Sequence, residues 1–165
     1  MNSKKLSIRL GAIISTAIFF LVPLLSSPVA AAGTGTYNCF ADTDNTPGGP
    51  TAQAACPPPY TISGLGANMA TFTCTYTFID SYPTPGTGSN HRATLTVSPP
   101  GPATGQASTG WVFIVANGGT VSGTISVGPL PYTPPASWSV TLEVWCNDVF
   151  SGNTAYATVT VTVTG

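Results

Sequence analysis

The chain has 165 residues and very little charge: four Lys and Arg, five Asp and Glu, and one histidine. Three of the four basic residues (Lys4, Lys5 and Arg9) lie in the first 32 positions, so residues 33–165 hold one arginine (Arg92), no lysine and a net charge of −4. This excludes electrostatic nucleic-acid binding, which needs clustered Lys and Arg to displace counterions, and leaves few ionisable groups for a catalytic centre.

The amino end reads as a secretory signal. Its basic residues precede an apolar run from Leu10 to Leu25, and Ala30-Ala31-Ala32 supplies an A-x-A cleavage site before Gly33. Pro23 and Pro28 would break a spanning helix late in the segment. The expectation is a signal peptide at 1–32 and one secreted domain at 33–165, with no transmembrane anchor after cleavage. Its N-terminal segment is 33–58.

Next along the chain, a strand is predicted at Thr36–Phe40 and a turn at Pro47-Gly48-Gly49-Pro50. A short strand follows at Tyr60–Leu65. In Thr71–Phe78, threonines alternate with Phe72, Cys74, Tyr76 and Phe78, the period of a half-buried strand. After the turn Pro83-Thr84-Pro85-Gly86 come strands at Arg92–Val97, Trp111–Ala116 and Thr120–Val127. Trp111–Ala116 is continuously apolar, which predicts cover on both faces. Alternation returns in Trp138–Cys146 and in Ala155–Val163, which form a hairpin around Ser151-Gly152-Asn153. No stretch after the signal has helical periodicity. Seven or eight short strands separated by Pro- and Gly-rich turns give an all-β, antiparallel sandwich.

Cys39, Cys56, Cys74 and Cys146 form an even set, which in an exported chain reads as disulfides. Their spacing has no short Cys pair suited to zinc. Three pairings exist on paper. Cys74 shares a face with Phe72 and Tyr76, and Cys146 with Leu142 and Val144, so strand phase favours Cys74–Cys146 across the core and Cys39–Cys56 closing an N-terminal loop.

With Cys74 in an early strand and Cys146 in a late one, followed by the hairpin Val144–Val161, residues 60–165 resemble an immunoglobulin-like sandwich of the kind found in bacterial and archaeal surface modules. The position two before Cys146 is Val144 rather than a tyrosine, and Trp111 lies 37 residues after Cys74, so the resemblance is to the sandwich and not to an antibody-type domain. It implies a fold and carries no site.

Candidate sites are few. His91, beside Arg92 after a polar turn, reads as the solvated start of a strand and has no G-x-S-x-G elbow to serve as its nucleophile. Of the acids, Glu143 falls on an outer strand face, and Asp42, Asp44, Asp80 and Asp148 fall in turns or at strand ends. Asp42, Asp44 and Asn45, ahead of Gly48-Gly49, are the best calcium candidate, although such residues are also ordinary turn formers. Trp145 and Tyr156 point outward on the predicted hairpin, with Asn147 opposite Tyr156 and Trp145 opposite Thr158. Such rings can stack on sugars or anchor a protein; the competing expectation is that the loop Pro129–Pro135 folds over them. No N-x-[ST] sequon is present, while the Thr- and Pro-rich composition allows O-linked sugar.

The reading is a non-enzymatic extracellular structural or interaction protein without a cofactor. It would be a self-assembling fibre, sheath or adhesin subunit whose partners are its own copies or a surface protein or glycan. Sheet edges lacking lysine are poorly guarded, and Gly33–Phe40 could donate a strand to a neighbour. The alternative is a carbohydrate-binding module using Trp145 and Tyr156.

Overall fold

Two sheets face each other across one apolar core in the computed structural model, which describes residues 34–56, 69–133 and 135–164. The described strands are β1 (Thr34–Thr46), β2 (Gly49–Ala55), β3 (Met69–Asp80), β4 (Gly88–Ser98), β5 (Gly105–Ser108), β6 (Val112–Val115), β7 (Gly119–Pro131), β8 (Ser137–Asp148) and β9 (Thr154–Thr164). The first sheet runs β2-β1-β3-β7 and the second β5-β4-β8-β9, with β6 pairing the early part of β4. The predicted signal at 1–32 and the predicted strand at Tyr60–Leu65 lie outside the described residues. No described helix is long and apolar enough to cross a membrane.

Alternating burial builds the core. The inward residues of β8 (Trp138, Val140, Leu142, Val144 and Cys146) are fully buried, as are Phe72, Cys74 and Phe78 on β3 and Ala93 and Leu95 on β4. Trp138 anchors one end, meeting the Phe72 ring edge-on at 5.4 Å and the Tyr132 ring at 5.1 Å. Tyr132 therefore draws its proline-rich loop onto the core rather than over Trp145 and Tyr156, contrary to the expectation of a cover.

The strand count and pairing differ from the sequence reading in definite ways. β2 and β5 are not among the predicted strands, since Gly and Pro open β2 and β5 has only four residues; pairing with β1 and β4 makes them strands. β1 is longer than predicted, and its pairing with β3 is parallel, so the sandwich is not wholly antiparallel. That pairing also occupies Thr34–Phe40 within its own molecule, leaving no free donor strand in this state. β6 is exposed on one side, with Phe113, Val115 and the preceding Trp111 each more than half exposed, because it is a short edge strand that pairs with β4 alone among the described strands.

Cys39 and Cys56 form a disulfide, closing the β1–β2 hairpin. Cys74 and Cys146 are buried thiols, so the expected second bridge is not formed. Strand phase placed both inward correctly but did not set the offset between sheets. Phe72 meets Trp138, whereas Phe78 stacks at 5.4 Å on His91, the cross-strand partner of Cys146. Cys74 thus lies four residues, roughly 13 Å of strand, from the row facing Cys146, beyond the ~7 Å Cα span of a disulfide.

Candidate functional site

The outer face of the second sheet carries the chemistry. β4 begins at Gly88, four residues earlier than predicted, and its alternation sends Ser89, His91 and Ala93 inward and Asn90, Arg92 and Thr94 outward. On β8 the outward residues are Glu143, Trp145 and Asn147. Register then places Arg92 beside Trp145 and Trp145 beside Tyr156, with Asn90, Asn147 and Thr154 in the next row.

Trp145 and Tyr156 are therefore direct partners, not diagonal ones as the sequence reading had it; their ring centroids are 4.4 Å apart. The turn at the hairpin tip accounts for the shift. The Asp148 carboxylate accepts the Phe150 N–H at 2.9 Å and the Ser151 hydroxyl at 2.8 Å, and the Asp148 N–H donates to the Asn153 carbonyl at 2.9 Å. These contacts close the loop at Asp148 and Asn153.

Trp111 joins the cluster from the β5–β6 connection. The Thr109 N–H donates to the Ala93 carbonyl at 3.0 Å, the Thr109 hydroxyl accepts the Ala93 N–H at 3.0 Å, and Gly110 takes φ 68°. The left-handed turn that glycine permits brings Trp111 over Arg92, whose guanidinium carbon is 4.9 Å from the Trp111 ring centroid and 5.9 Å from that of Trp145. Glu143 ties the group together. It accepts Arg92 Nη2–H at 3.1 Å, Trp145 Nε1–H at 2.8 Å and the Tyr156 hydroxyl at 3.3 Å.

A groove of about 400 Å³ opens beside this cluster, lined by Asn90, Trp111, Trp145, Asn147 and Thr154. Its size is at the low end of small-ligand sites, ~300–1,000 Å³. Both indoles line it, and the carboxamides of Asn90 and Asn147 have no hydrogen-bond partner among the described residues. A depression of about 520 Å³ at the other end is lined by Pro100, Pro102, Pro135 and small residues, with no aromatic face. The sequence reading found Trp145 and Tyr156 but missed Trp111, Arg92, Asn90 and Asn147. Starting the alternation at Gly88 would have put Asn90 and Arg92 on this face.

The other predicted residues go elsewhere. Asp42, Asp44 and Asn45 lie within β1 rather than in a turn, and alternation turns Asn45 into the core, away from the two carboxylates. Asp42 accepts from Gln53, and Asp44 from the Ser81 N–H and hydroxyl. No group of three or more His, Cys, Asp or Glu able to hold a metal occurs among the described residues.

His91 is fully buried rather than solvated. The Thr43 hydroxyl meets its Nδ1 at 2.7 Å, and Ser89 Oγ lies 2.7 Å from its Nε2 and 2.7 Å from the Asp80 carboxylate. A neutral ring protonated on Nε2 satisfies all three contacts: Thr43 donates to Nδ1, Nε2–H donates to Ser89, and Ser89 donates to Asp80. Burial holds the imidazole pKa down at about 4, against the opposing pull of Asp80. In this chain the serine separates the carboxylate from the histidine, and Asp80, Ser89 and His91 are all sealed from solvent, so it lacks the geometry of a nucleophilic triad.

No protein-family model, curated protein or solved structure matches the chain.

Proposed function

We propose that this is a secreted, non-catalytic carbohydrate-binding protein built on an immunoglobulin-like sandwich, exported by the signal at 1–32. The observation that carries this reading is the groove lined by two indoles, Trp111 and Trp145, together with the carboxamides of Asn90 and Asn147, which have no partner among the described residues. Aromatic faces match the apolar C–H face of a pyranose ring, and a carboxamide offers both a donor and an acceptor to adjacent hydroxyls. The Glu143 contacts hold Trp145, Tyr156 and Arg92 in place before any ligand arrives, which lowers the ordering cost of binding. The internal disulfide fits an oxidising, extracellular setting. The test is a glycan array followed by titration calorimetry on wild type, Trp111→Ala and Trp145→Ala. The reading expects binding that either substitution weakens at least tenfold with the fold intact; absence of binding to any glycan would sink it.

A second reading, self-association into a surface assembly, is favoured by β9. This edge strand of 11 residues has no charge, proline or glycine, and its inward Ala157, Val159 and Val161 are only partly buried. The edge strand β7, by contrast, is interrupted by Gly123, Gly128, Pro129 and Pro131. An unguarded edge of this kind can add a strand from a second copy, and analytical ultracentrifugation that finds only monomer at high concentration would refute it.

A further inference from the structure

We infer that the groove selects uncharged glycans and rejects acidic ones, with the Arg92–Glu143 pair as the element that sets this preference; the inference rests on the carbohydrate reading above. Arg92 is the sole Lys or Arg among residues 33–165. Its guanidinium is paired on one side: Nη2 donates to Glu143 at 3.1 Å, and its central carbon lies 4.9 Å from the Trp111 ring centroid and 5.9 Å from that of Trp145. His91, the one other basic side chain in that span, is buried in the core and faces away from the groove. A uronate or sulfate entering beside the indoles would therefore meet a single cation already paired with the Glu143 carboxylate, and would approach a domain of net charge −4. The groove itself presents amides, a hydroxyl and two rings, all neutral. That inventory suits a ring whose only polar groups are hydroxyls and ethers. Its attraction is short-ranged, so binding is insensitive to ionic strength, whereas a charge-paired ligand would be released by salt.

The experiment compares neutral and acidic polysaccharides by affinity electrophoresis and array at low and at 1 M salt. The probes are mixed-linkage β-glucan, xylan, galactan, polygalacturonate, its methyl ester, and heparin. Retention by one or more neutral polymers, unchanged by salt and lost in Trp145→Ala, is the expected result. Binding to polygalacturonate or heparin that salt reverses and Trp145→Ala abolishes would overturn the charge selectivity while leaving the carbohydrate reading standing. Failure to bind any polymer would overturn the carbohydrate reading and this inference with it. Glu143→Gln keeps the shape of the side chain but leaves Arg92 unpaired. It is expected to raise retention by polygalacturonate roughly fivefold, and a correctly folded Glu143→Gln protein with no such gain would overturn the role given to the pair.

Discussion

The buried imidazole of His91 makes stability depend on pH in a window set by its environment. In the unfolded chain this histidine takes up a proton near 6.5, but in the folded protein burial delays uptake until about pH 4. Between those values the unfolded state binds more protons, so stability falls as pH falls, by up to about 1.4 kcal/mol per pH unit. Above pH 6.5 the ring is neutral in both states and contributes no slope; below pH 4 it is protonated in both and the loss is complete. Integrated over the window, the loss is about 3 kcal/mol, a large share of a typical domain's stability of ~5–15 kcal/mol. The contacts around the ring agree with this direction. Nδ1 accepts from Thr43 at 2.7 Å, so a second proton would break that bond in a fully buried site, with Phe78 stacked at 5.4 Å and the Cys146 thiol 3.9 Å from Nε2. Urea unfolding from pH 4 to pH 8 should show the slope in wild type. Its absence is expected in His91→Gln, which keeps a polar side chain but cannot titrate. Parallel curves for the two proteins between pH 6.5 and 4.5 would refute the reasoning, as would an NMR titration placing the native imidazole near its ordinary value.

Thiol accounting gives a second check. Burial pushes both Cys74 and Cys146 up to about 12, so iodoacetamide at pH 8 should leave the native protein unlabelled and add two groups once it is unfolded without reductant. A mass showing no free thiol would contradict the single bridge. Reducing Cys39–Cys56, a link between residues 17 apart, should cost about 3 kcal/mol by the loop-entropy argument, read as a lowered denaturant midpoint. Trp138→Ala should destabilise by about 3–5 kcal/mol because that ring is fully buried against Phe72 and Tyr132. Trp111→Ala should cost about 1 kcal/mol or less, since its ring is mostly exposed and loses chiefly the Arg92 contact.

Alternation made the strands legible wherever threonine marked one face, as in β3, β8 and β9, and it placed Cys74, Cys146, Glu143 and Trp145 on their correct sides. It could not report relations between strands. The offset that sets Phe78, rather than Cys74, against the His91–Cys146 row arises from how the sheets pack, and no local pattern encodes it. The two-residue difference in the β8–β9 register has a similar origin, because the Asp148 cap decides where the hairpin turns. His91 was misplaced for a simpler reason. The Gly88-Ser89-Asn90 stretch looks like a turn, yet in the fold it is already strand, paired with β6 and β8. Trp145 and Tyr156 followed from phase alone. The rest of the candidate site, Trp111 with Arg92 and Asn90 with Asn147, required the chain path through Gly110 and the pairing of β4 with β8.

The two proposed activities, sugar recognition and self-association, would draw on different atoms, so single substitutions should separate them. Over much of the outer faces, hydroxyls satisfy one another across strands: Thr141 with Thr160 at 2.9 Å, Thr73 with Ser126 at 3.0 Å, Thr77 with Ser122 at 3.2 Å, and Thr94 with Ser108 at 3.3 Å. Such rows offer few free donors to a ligand and no charge to repel a copy. The groove differs because the Asn90 and Asn147 carboxamides have no partner among the described residues, and β9 differs because one side of its backbone ladder pairs with no described strand. Thr162 is exposed on the outer face of β9, opposite Ser139 and three rows from Tyr156 along the strand. Thr162→Lys places on that edge the charge with which soluble proteins commonly guard one. It should reduce association by at least several-fold in sedimentation while leaving glycan affinity within twofold of wild type. Trp111→Ala should do the reverse. A single substitution that removed both activities with the fold intact would mean that one surface serves both, and would overturn the division between face and edge drawn from these hydrogen bonds.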